Sequence, residues 1–233
     1  MSEMRLNLIT GDWVIIATER AKRPEDFDRA PRRQVSPPHS ATCPFCPGRE
    51  AECTPGETFR IADVAGGWAV RSIPNRFAAL SPGGEPDRHG EGSKTWLKGI
   101  GLQEVILETP LHNLTTALLP TQHLEWVVEA YRSRLRAFYR SPHIEHVVVF
   151  KNQGEAAGSS LEHPHSQIVG TPVVPGQLRH RIEEALRHYG DWGRCVCCRT
   201  RANELADGVR VVTANASFVA FVPYAALSPY HLW

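Results

Sequence analysis

The sequence predicts an α+β fold of sheet and helices. Three observations lead there. Strand-like runs such as WAVRSIP, LQEVILE and HVVVF recur along the chain, and two stretches between runs of this kind place apolar residues at helical spacing. The tract PNRFAALSP at 74–82 then returns as PYAALSP at 223–229, each after a strand-like run. The echo implies two related halves. The first continues from its AALSP through a helix to a histidine-rich segment, whereas the second reaches Trp233 soon after the same mark. The expected organisation is a domain over residues 1–176 and, over 177–233, the start of a truncated repeat.

The elements follow in order. LNLITGDWVIIATERAKRP reads as a strand, a Thr-Gly-Asp turn, a second strand at Trp13–Ala17 and a basic loop closed by proline. From Arg23 to Pro55 the chain is rich in Pro, Arg and Ser and has no period, which predicts a surface excursion that needs a metal clip or other outside help to hold its shape. Strands are expected at GWAVRSIPN, LQEVILETP and EHVVVFKNQ. Leu124–Tyr139 should form a helix with Thr121 as its cap. HSQIVGTPVV resumes the sheet, Gln177–Tyr189 reads as a second helix, and VRVVTAN and SFVAFVPY close the series after a cysteine cluster beginning at Cys195.

Bulk properties exclude several function classes. The 26 Lys and Arg nearly balance the 25 Asp and Glu, giving a net charge of +1, and they are interspersed along the chain. Nucleic-acid binding through phosphates needs a basic stripe that is missing from this pattern. The opening MSEMRLNLITGDW has neither a basic stretch leading into an apolar run nor a span long enough for a bilayer, so a cytoplasmic location without membrane attachment is expected. Six cysteines then point to metal ligation rather than a disulfide scaffold.

Two motifs carry chemistry. Cys43-Pro44-Phe45-Cys46 has the two-residue spacing that lets both thiolates reach one tetrahedral ion. The same letters also spell a thiol–disulfide pair, but that chemistry wants the first Cys at a helix start after a strand, and here PPHSAT precedes and PGRE follows. Neutral imidazole is the expected type for the remaining ligands, with His112 and His163 as candidates. In FKNQGEAAGSSLEHPHSQIVGTP a strand runs into a Gly/Ser loop that delivers His163 and His165, and residues two apart in extended chain face one side. Pro164 stiffens the link between them. Gly154 and Gly158 would let backbone N–H groups approach a phosphate.

Taken together, GDWVIIATERAKRP, CPFC, PNRFAAL, TPLHN, NQGEAAGSSLEHPHSQI and VPYAALSPYHLW resemble, in order and spacing, the galactose-1-phosphate uridylyltransferase family of the histidine-triad superfamily, including its ADP-glucose phosphorylase-like branch. The resemblance implies a histidine-triad-like half-barrel sheet with flanking helices, followed by an incomplete second repeat. It implies zinc held by Cys43, Cys46, His112 and His163, with His165 as nucleophile and Gln167 holding the transferred phosphoryl group. Asn75, Asn152, Gly158 and Ser160 resemble nucleotide- and phosphate-contacting positions. Arg20 and Arg23 sit where the family has basic residues near substrate, although a solvated loop accounts for them equally. Cys195-Val196-Cys197-Cys198 resembles the phosphorylase-like branch, for which a second zinc is expected with Cys195, Cys198 and His231 as candidate ligands; a reduced cysteine cluster is the alternative. Cys53 is a spare thiol. A homodimer is implied by the resemblance alone.

The implied reaction is a neutral imidazole attacking the α-phosphorus of a nucleotide-sugar, with sugar 1-phosphate leaving and a nucleotidyl-histidine remaining. Four protein ligands would close the zinc shell, which makes the metal structural. Related hydrolases carry a third histidine where Gln167 stands, and an amide cannot act as general acid or base, so transfer is favoured over hydrolysis. Ser166 departs from the Gly usual in uridylyltransferases. The resulting expectation is uridylyl exchange between UDP-glucose and galactose 1-phosphate, with ADP-glucose phosphorolysis or adenylyl transfer as the alternative. A catalytically silent zinc-binding fragment is the alternative of a different class.

Overall fold

The computed structural model describes residues 3–17, 36–50, 56–64 and 66–233; Arg20, Arg23 and Cys53 lie outside the described residues. In chain order the elements are β1 (Glu3–Leu6), β2 (Trp13–Ile16), β3 (Phe59–Ala62), β4 (Trp68–Pro74), β5 (Arg88–Glu91), β6 (Lys94–Leu97) and β7 (Leu102–Leu107). They continue with α1 (Thr121–Phe138), β8 (His146–Phe150), β9 (His165–Thr171), α2 (Gly176–Trp192), α3 (Val196–Asp207), β10 (Val211–Ala214) and β11 (Val219–Phe221). This is an α+β architecture. It divides into two units, residues 33–174 and residues 1–32 together with 175–233.

The unit over 33–174 is built on a five-stranded sheet of order β3-β4-β7-β9-β8, antiparallel at every pairing. Alternation along the strands sorts its residues onto two faces. On one face Val70, Ile106, Val147 and Ile168 pack with Val127, Ala130 and Phe138 of α1 into the main core. That burial explains why the apolar spacing of α1 becomes a helix, since a 3.6-residue period presents one stripe to the sheet. Gly170 lets the helix end settle closely: a Cβ there would stand 2.9 Å from Phe138 and 3.1 Å from Ile144. On the other face Trp68, Ile73, Val105 and Leu107 form a second cluster, with Phe45 packed against it. The register sets Leu107 opposite His165 and Val105 opposite Gln167.

One local expectation is corrected. Thr121 is the first residue of α1 and not its cap; Pro120, at φ −58°, precedes it, and the Pro120 carbonyl accepts from His123 and Leu124 N–H at 2.9 and 3.1 Å. The fixed φ of proline already presets the helix entry there. The hairpin β5–β6 was not expected, because RHGE and KTWL lack alternation and are almost wholly exposed.

In the other unit β1 and β2 form the expected hairpin, closed through Asn7, whose N–H donates to Asp12 O at 2.9 Å and whose Oδ1 accepts from Ile9 N–H at 3.0 Å. Helix α2 extends beyond Gln177–Tyr189 at both ends, from the turn after Pro175 to Gly193. Helix α3 occupies the cysteine-rich stretch, where the sequence pattern predicts no element. Among the described residues, no helix is long and apolar enough to cross a membrane.

Candidate functional site

The excursion before β3 returns to the sheet at Cys43-Pro44-Phe45-Cys46. There the Cys46 N–H donates to Cys43 O at 3.3 Å and the Phe45 N–H approaches Cys43 Sγ at 3.4 Å, a turn that points both sulfurs inward. His112 is delivered just after β7 and tied to the excursion, its N–H donating to Pro38 O at 2.8 Å. His163 arrives immediately before β9. The four side chains are buried and their ligand atoms all lie within 4.8 Å of one another. Cys46 Sγ stands 3.5 Å from His112 Nδ1 and 3.6 Å from His163 Nδ1.

The two Cys46 separations match a tetrahedral ion with two sulfur and two nitrogen ligands at about 2.0–2.3 Å, whose ligand atoms lie roughly 3.3–3.8 Å apart. The protonation chemistry fits as well. Burial lowers the His163 pKa to about 4, so its ring is neutral, and its Nε2–H donates to Thr109 O at 2.8 Å, which leaves Nδ1 as the lone pair facing Cys46. Burial raises the Cys43 thiol to about 11, with Cys46 adding to the rise, so ionising this pair calls for a cation. His112 turns Nε2 toward Glu162, 3.7 Å away, and so presents Nδ1 inward too.

Two residues beyond His163, His165 belongs to a different environment. Its Nδ1–H donates to the His163 carbonyl at 2.7 Å, which fixes the tautomer and leaves Nε2 as the basic nitrogen. Phe45 sets its ring against both histidines, with centroids 5.4 Å from His165 and 6.0 Å from His163. His165 and Gln167 line a cavity of about 340 Å³ together with Asn75, Ser160, Phe77 and Val105. The volume lies at the small end of the range of about 300–1,000 Å³ for small-molecule sites.

The orientation of Gln167 is determined by a relay. Phe77 N–H donates to Asn75 Oδ1 at 2.9 Å, so Asn75 must offer Nδ2, which lies 3.5 Å from Gln167 Oε1. Ala79 N–H donates to Gln103 Oε1 at 2.9 Å, so Gln103 offers Nε2, which donates to the same Gln167 oxygen at 3.2 Å. With Oε1 taken twice, the Gln167 amide group is left to donate to whatever occupies the cavity.

Behind β9, on the helix face, Glu108 is fully buried and accepts from Lys151, Ser166, Tyr131 (3.0 Å) and Thr116 (2.9 Å), while Tyr131 and Ser166 hydroxyls meet at 2.7 Å. Burial alone would raise the Glu108 pKa, but the hydrogen bonds from Lys151 and Ser166 and the Lys151 charge outweigh it and hold the carboxylate below its ordinary value.

The remaining expected residues are placed as follows. Asn152 and Gly158 are exposed on the loop after β8, and neither lines the cavity. That loop turns at Gly154 and Gly158, with φ of 83° and 82°, values that favour glycine. Cys195 is the N-cap residue of α3, where Cys198 and Cys197 N–H groups lower its thiol pKa. Among the described residues, the Cys43 group is the one cluster of three or more His, Cys, Asp or Glu side chains with metal-like spacing; Cys195, Cys198 and His231 are not gathered into another. The sequence reading missed Gln103, Glu108, Tyr131, Lys151 and the contact role of Phe45. For Phe45 the signal was its place between the two cysteines; Gln103 gave none, because its role depends on strand register.

Comparison with known families now bears on this geometry. The family model for the N-terminal domain of galactose-1-phosphate uridyl transferase matches residues 1–175, most of the chain. The chain belongs to the galactose-1-phosphate uridyl transferase family. Within it, the chain is 33% identical over 233 residues to ADP-glucose phosphorylase of Arabidopsis thaliana, covering 99% of this chain and 64% of that protein. It is 26% identical to galactose-1-phosphate uridylyltransferase of Thermotoga maritima, covering 100% and 65%. A crystal structure of the Arabidopsis thaliana ADP-glucose phosphorylase with bound ADP-glucose superposes with a TM-score of 0.76 at 30% identity, covering 97% of this chain and 65% of that one. A uridylyltransferase structure superposes at 0.68 and 28% identity, covering 100% and 64%. The chain thus spans just under two thirds of the length of these members of the galactose-1-phosphate uridyl transferase family.

Proposed function

We propose that the chain carries the nucleotidyl-accepting centre of a nucleotidyltransferase that works through a covalent nucleotidyl-His165 intermediate. The observation that carries this reading is the 2.7 Å hydrogen bond from His165 Nδ1–H to the His163 carbonyl, in a cavity shared with Gln167. It places the proton of the imidazole on Nδ1 and so turns Nε2, the nitrogen a nucleophile needs, toward the cavity side of the ring. His165 Nε2 attacks the α-phosphorus of a nucleotide-sugar. The N–P bond forms as the bridging P–O bond breaks, and sugar 1-phosphate leaves with the electron pair. The ring then bears positive charge, and the carbonyl at Nδ1–H stabilises it in proportion. An oxygen of the second substrate attacks the same phosphorus and releases His165 neutral. The Gln167 amide, aimed by Asn75 and Gln103, donates to a nonbridging oxygen as charge builds there.

Cys43, Cys46, His112 and His163 would hold zinc, which supplies a closed structural clip rather than an open coordination position. Held there, it would tie the excursion to the sheet and fix the chain at His163, two residues before His165.

Between donors, ADP-glucose stands ahead of UDP-glucose, which the sequence alone had placed first. Identity and structural likeness are both higher to the protein described as ADP-glucose phosphorylase. On this reading inorganic phosphate is the second substrate and ADP the product. The uridylyl reading, with galactose 1-phosphate as acceptor, keeps the support of the family description itself.

The test is an intact-mass measurement after incubation with each nucleotide-sugar and a quench at alkaline pH, where phosphoramidates survive. An added AMP mass from ADP-glucose, lost in acid and missing in His165→Asn, is expected. A UMP adduct alone would move the reading to uridylyl transfer. No adduct from either donor in a zinc-loaded chain would leave the silent zinc-binding fragment as the better description.

A further inference from the structure

We infer that Gln103 is the positioning residue that decides which end of the Gln167 amide faces the cavity. A primary amide can sit either way round in the same space, and only its hydrogen-bond partners tell the two ends apart. Two donors reach Gln167 Oε1, and they are not equal. Asn75 Nδ2 lies at 3.5 Å, at the limit of a hydrogen bond, whereas Gln103 Nε2 lies at 3.2 Å. Gln103 is itself prevented from turning over, because its Oε1 accepts the Ala79 backbone N–H at 2.9 Å and a main-chain N–H cannot reverse its role.

Gln103 also joins the two strands that bear the partners. Its carbonyl accepts Asn75 N–H at 2.9 Å just after β4, and on β7 it lies opposite Val169, two residues along β9 from Gln167. A side chain there reaches diagonally across the ladder to Gln167 on the same face. The sense of the amide is therefore read from the turn after β4, through Gln103, into the site. Its effect on catalysis rests on the reading of Gln167 as a phosphoryl-oxygen donor; the orientation claim itself does not.

Two substitutions separate polarity from packing. Gln103→Glu keeps the shape but can only accept at both oxygens, so the Gln167 amide must turn its NH2 toward the new carboxylate. Gln103→Met removes the donor and leaves Asn75 to hold the orientation. In protein labelled with 15N-glutamine, the Gln167 side-chain signal is identified by its loss in Gln167→Ala. The Gln167 NH2 protons should move downfield in Gln103→Glu, as donors to a carboxylate, and shift much less in Gln103→Met. A packing role predicts the reverse order, because Glu is isosteric and Met is not, and that order would overturn the proposal. In the kinetic arm, single-turnover adduct formation should fall about tenfold further in Gln103→Glu than in Gln103→Met, once each is measured at saturating nucleotide-sugar. Equal rates alongside the predicted NMR order would leave the orientation claim intact and remove Gln167 from the reaction. If the unsubstituted chain forms no adduct, the functional reading fails while the NMR order still decides the role of Gln103.

Discussion

The two faces of β9 put neighbouring residues to opposite uses. On the cavity face His165 and Gln167 are partly exposed, and each keeps one polar atom uncommitted within the protein after its orienting hydrogen bonds are made. On the helix face Ser166 is buried, and the Glu108 carboxylate it meets is saturated by four side-chain donors. A saturated buried network contributes to stability and to a unique chain position, whereas an unsaturated group at a cavity is available for chemistry. Substitutions on one face should therefore separate cleanly from those on the other: stability should move with Glu108 and Ser166, turnover with Gln167.

The largest stability effect is expected at Glu108. Glu108→Gln removes the charge that Lys151 is paired with, and it turns one acceptor into a donor among donors. Breaking a buried pair costs about 3–5 kcal/mol; Lys151 keeps some access to water, so the expected loss is on the order of 3 kcal/mol in urea unfolding at neutral pH. The pH dependence has a definite sign. Because the folded carboxylate titrates below its ordinary value of 4.5, its contribution is complete above that value and drains as pH falls through the lowered one. The gap between native and Glu108→Gln should thus narrow on acidification. A gap that stays constant from neutral pH to below 4.5 would show that the charge is not what stabilises.

On the other face, Gln167→Ala should leave the unfolding midpoint within about 0.5 kcal/mol of native, since the lost side chain borders a cavity. Adduct formation should slow by about a hundredfold, the usual effect of deleting one preorganised donor to a developing oxyanion. A large stability loss with unchanged chemistry would erase the distinction between the faces.

Much of the site was legible because its residues lie close together in sequence. The spacing of Cys43 with Cys46, and of His163 with His165, already brings each pair within reach. Ligand type alone makes His112 a candidate, while the fold is what brings it to the cysteines. Gln103 was not legible, because its role depends on the register that sets it opposite Val169 and beside Asn75. Glu108 was hidden for a similar reason: a carboxylate at a strand end looks solvated until Lys151, Thr116 and Tyr131 arrive from three other segments. Among the fold elements, the core strands and α1 followed from apolar pattern, while β5–β6 bury too little to leave one. Helix α3 escaped because a cysteine at its cap and two in its first turn suggest ligation before they suggest a helix.

The smallest expected effect tests the comparison most sharply. Ser166 sits between His165 and Gln167, so proximity alone predicts a large catalytic defect on its removal. Its hydroxyl, however, points to the helix face, where it donates to Glu108 and meets Tyr131. In Ser166→Ala, Tyr131 still donates to Glu108 across 3.0 Å, and Lys151 and Thr116 remain, so the carboxylate loses one donor of four and stays satisfied. The cost should be about 1 kcal/mol, the net worth of one hydrogen bond, read as a fall in the thermal midpoint of a few degrees. Adduct formation should remain within about twofold of native, because the backbone that carries His165 is held by the β7 and β9 register and by its own bond to the His163 carbonyl. A tenfold loss of rate at unchanged stability would mean that the helix-face network tunes His165, and that the two faces of β9 act as one device.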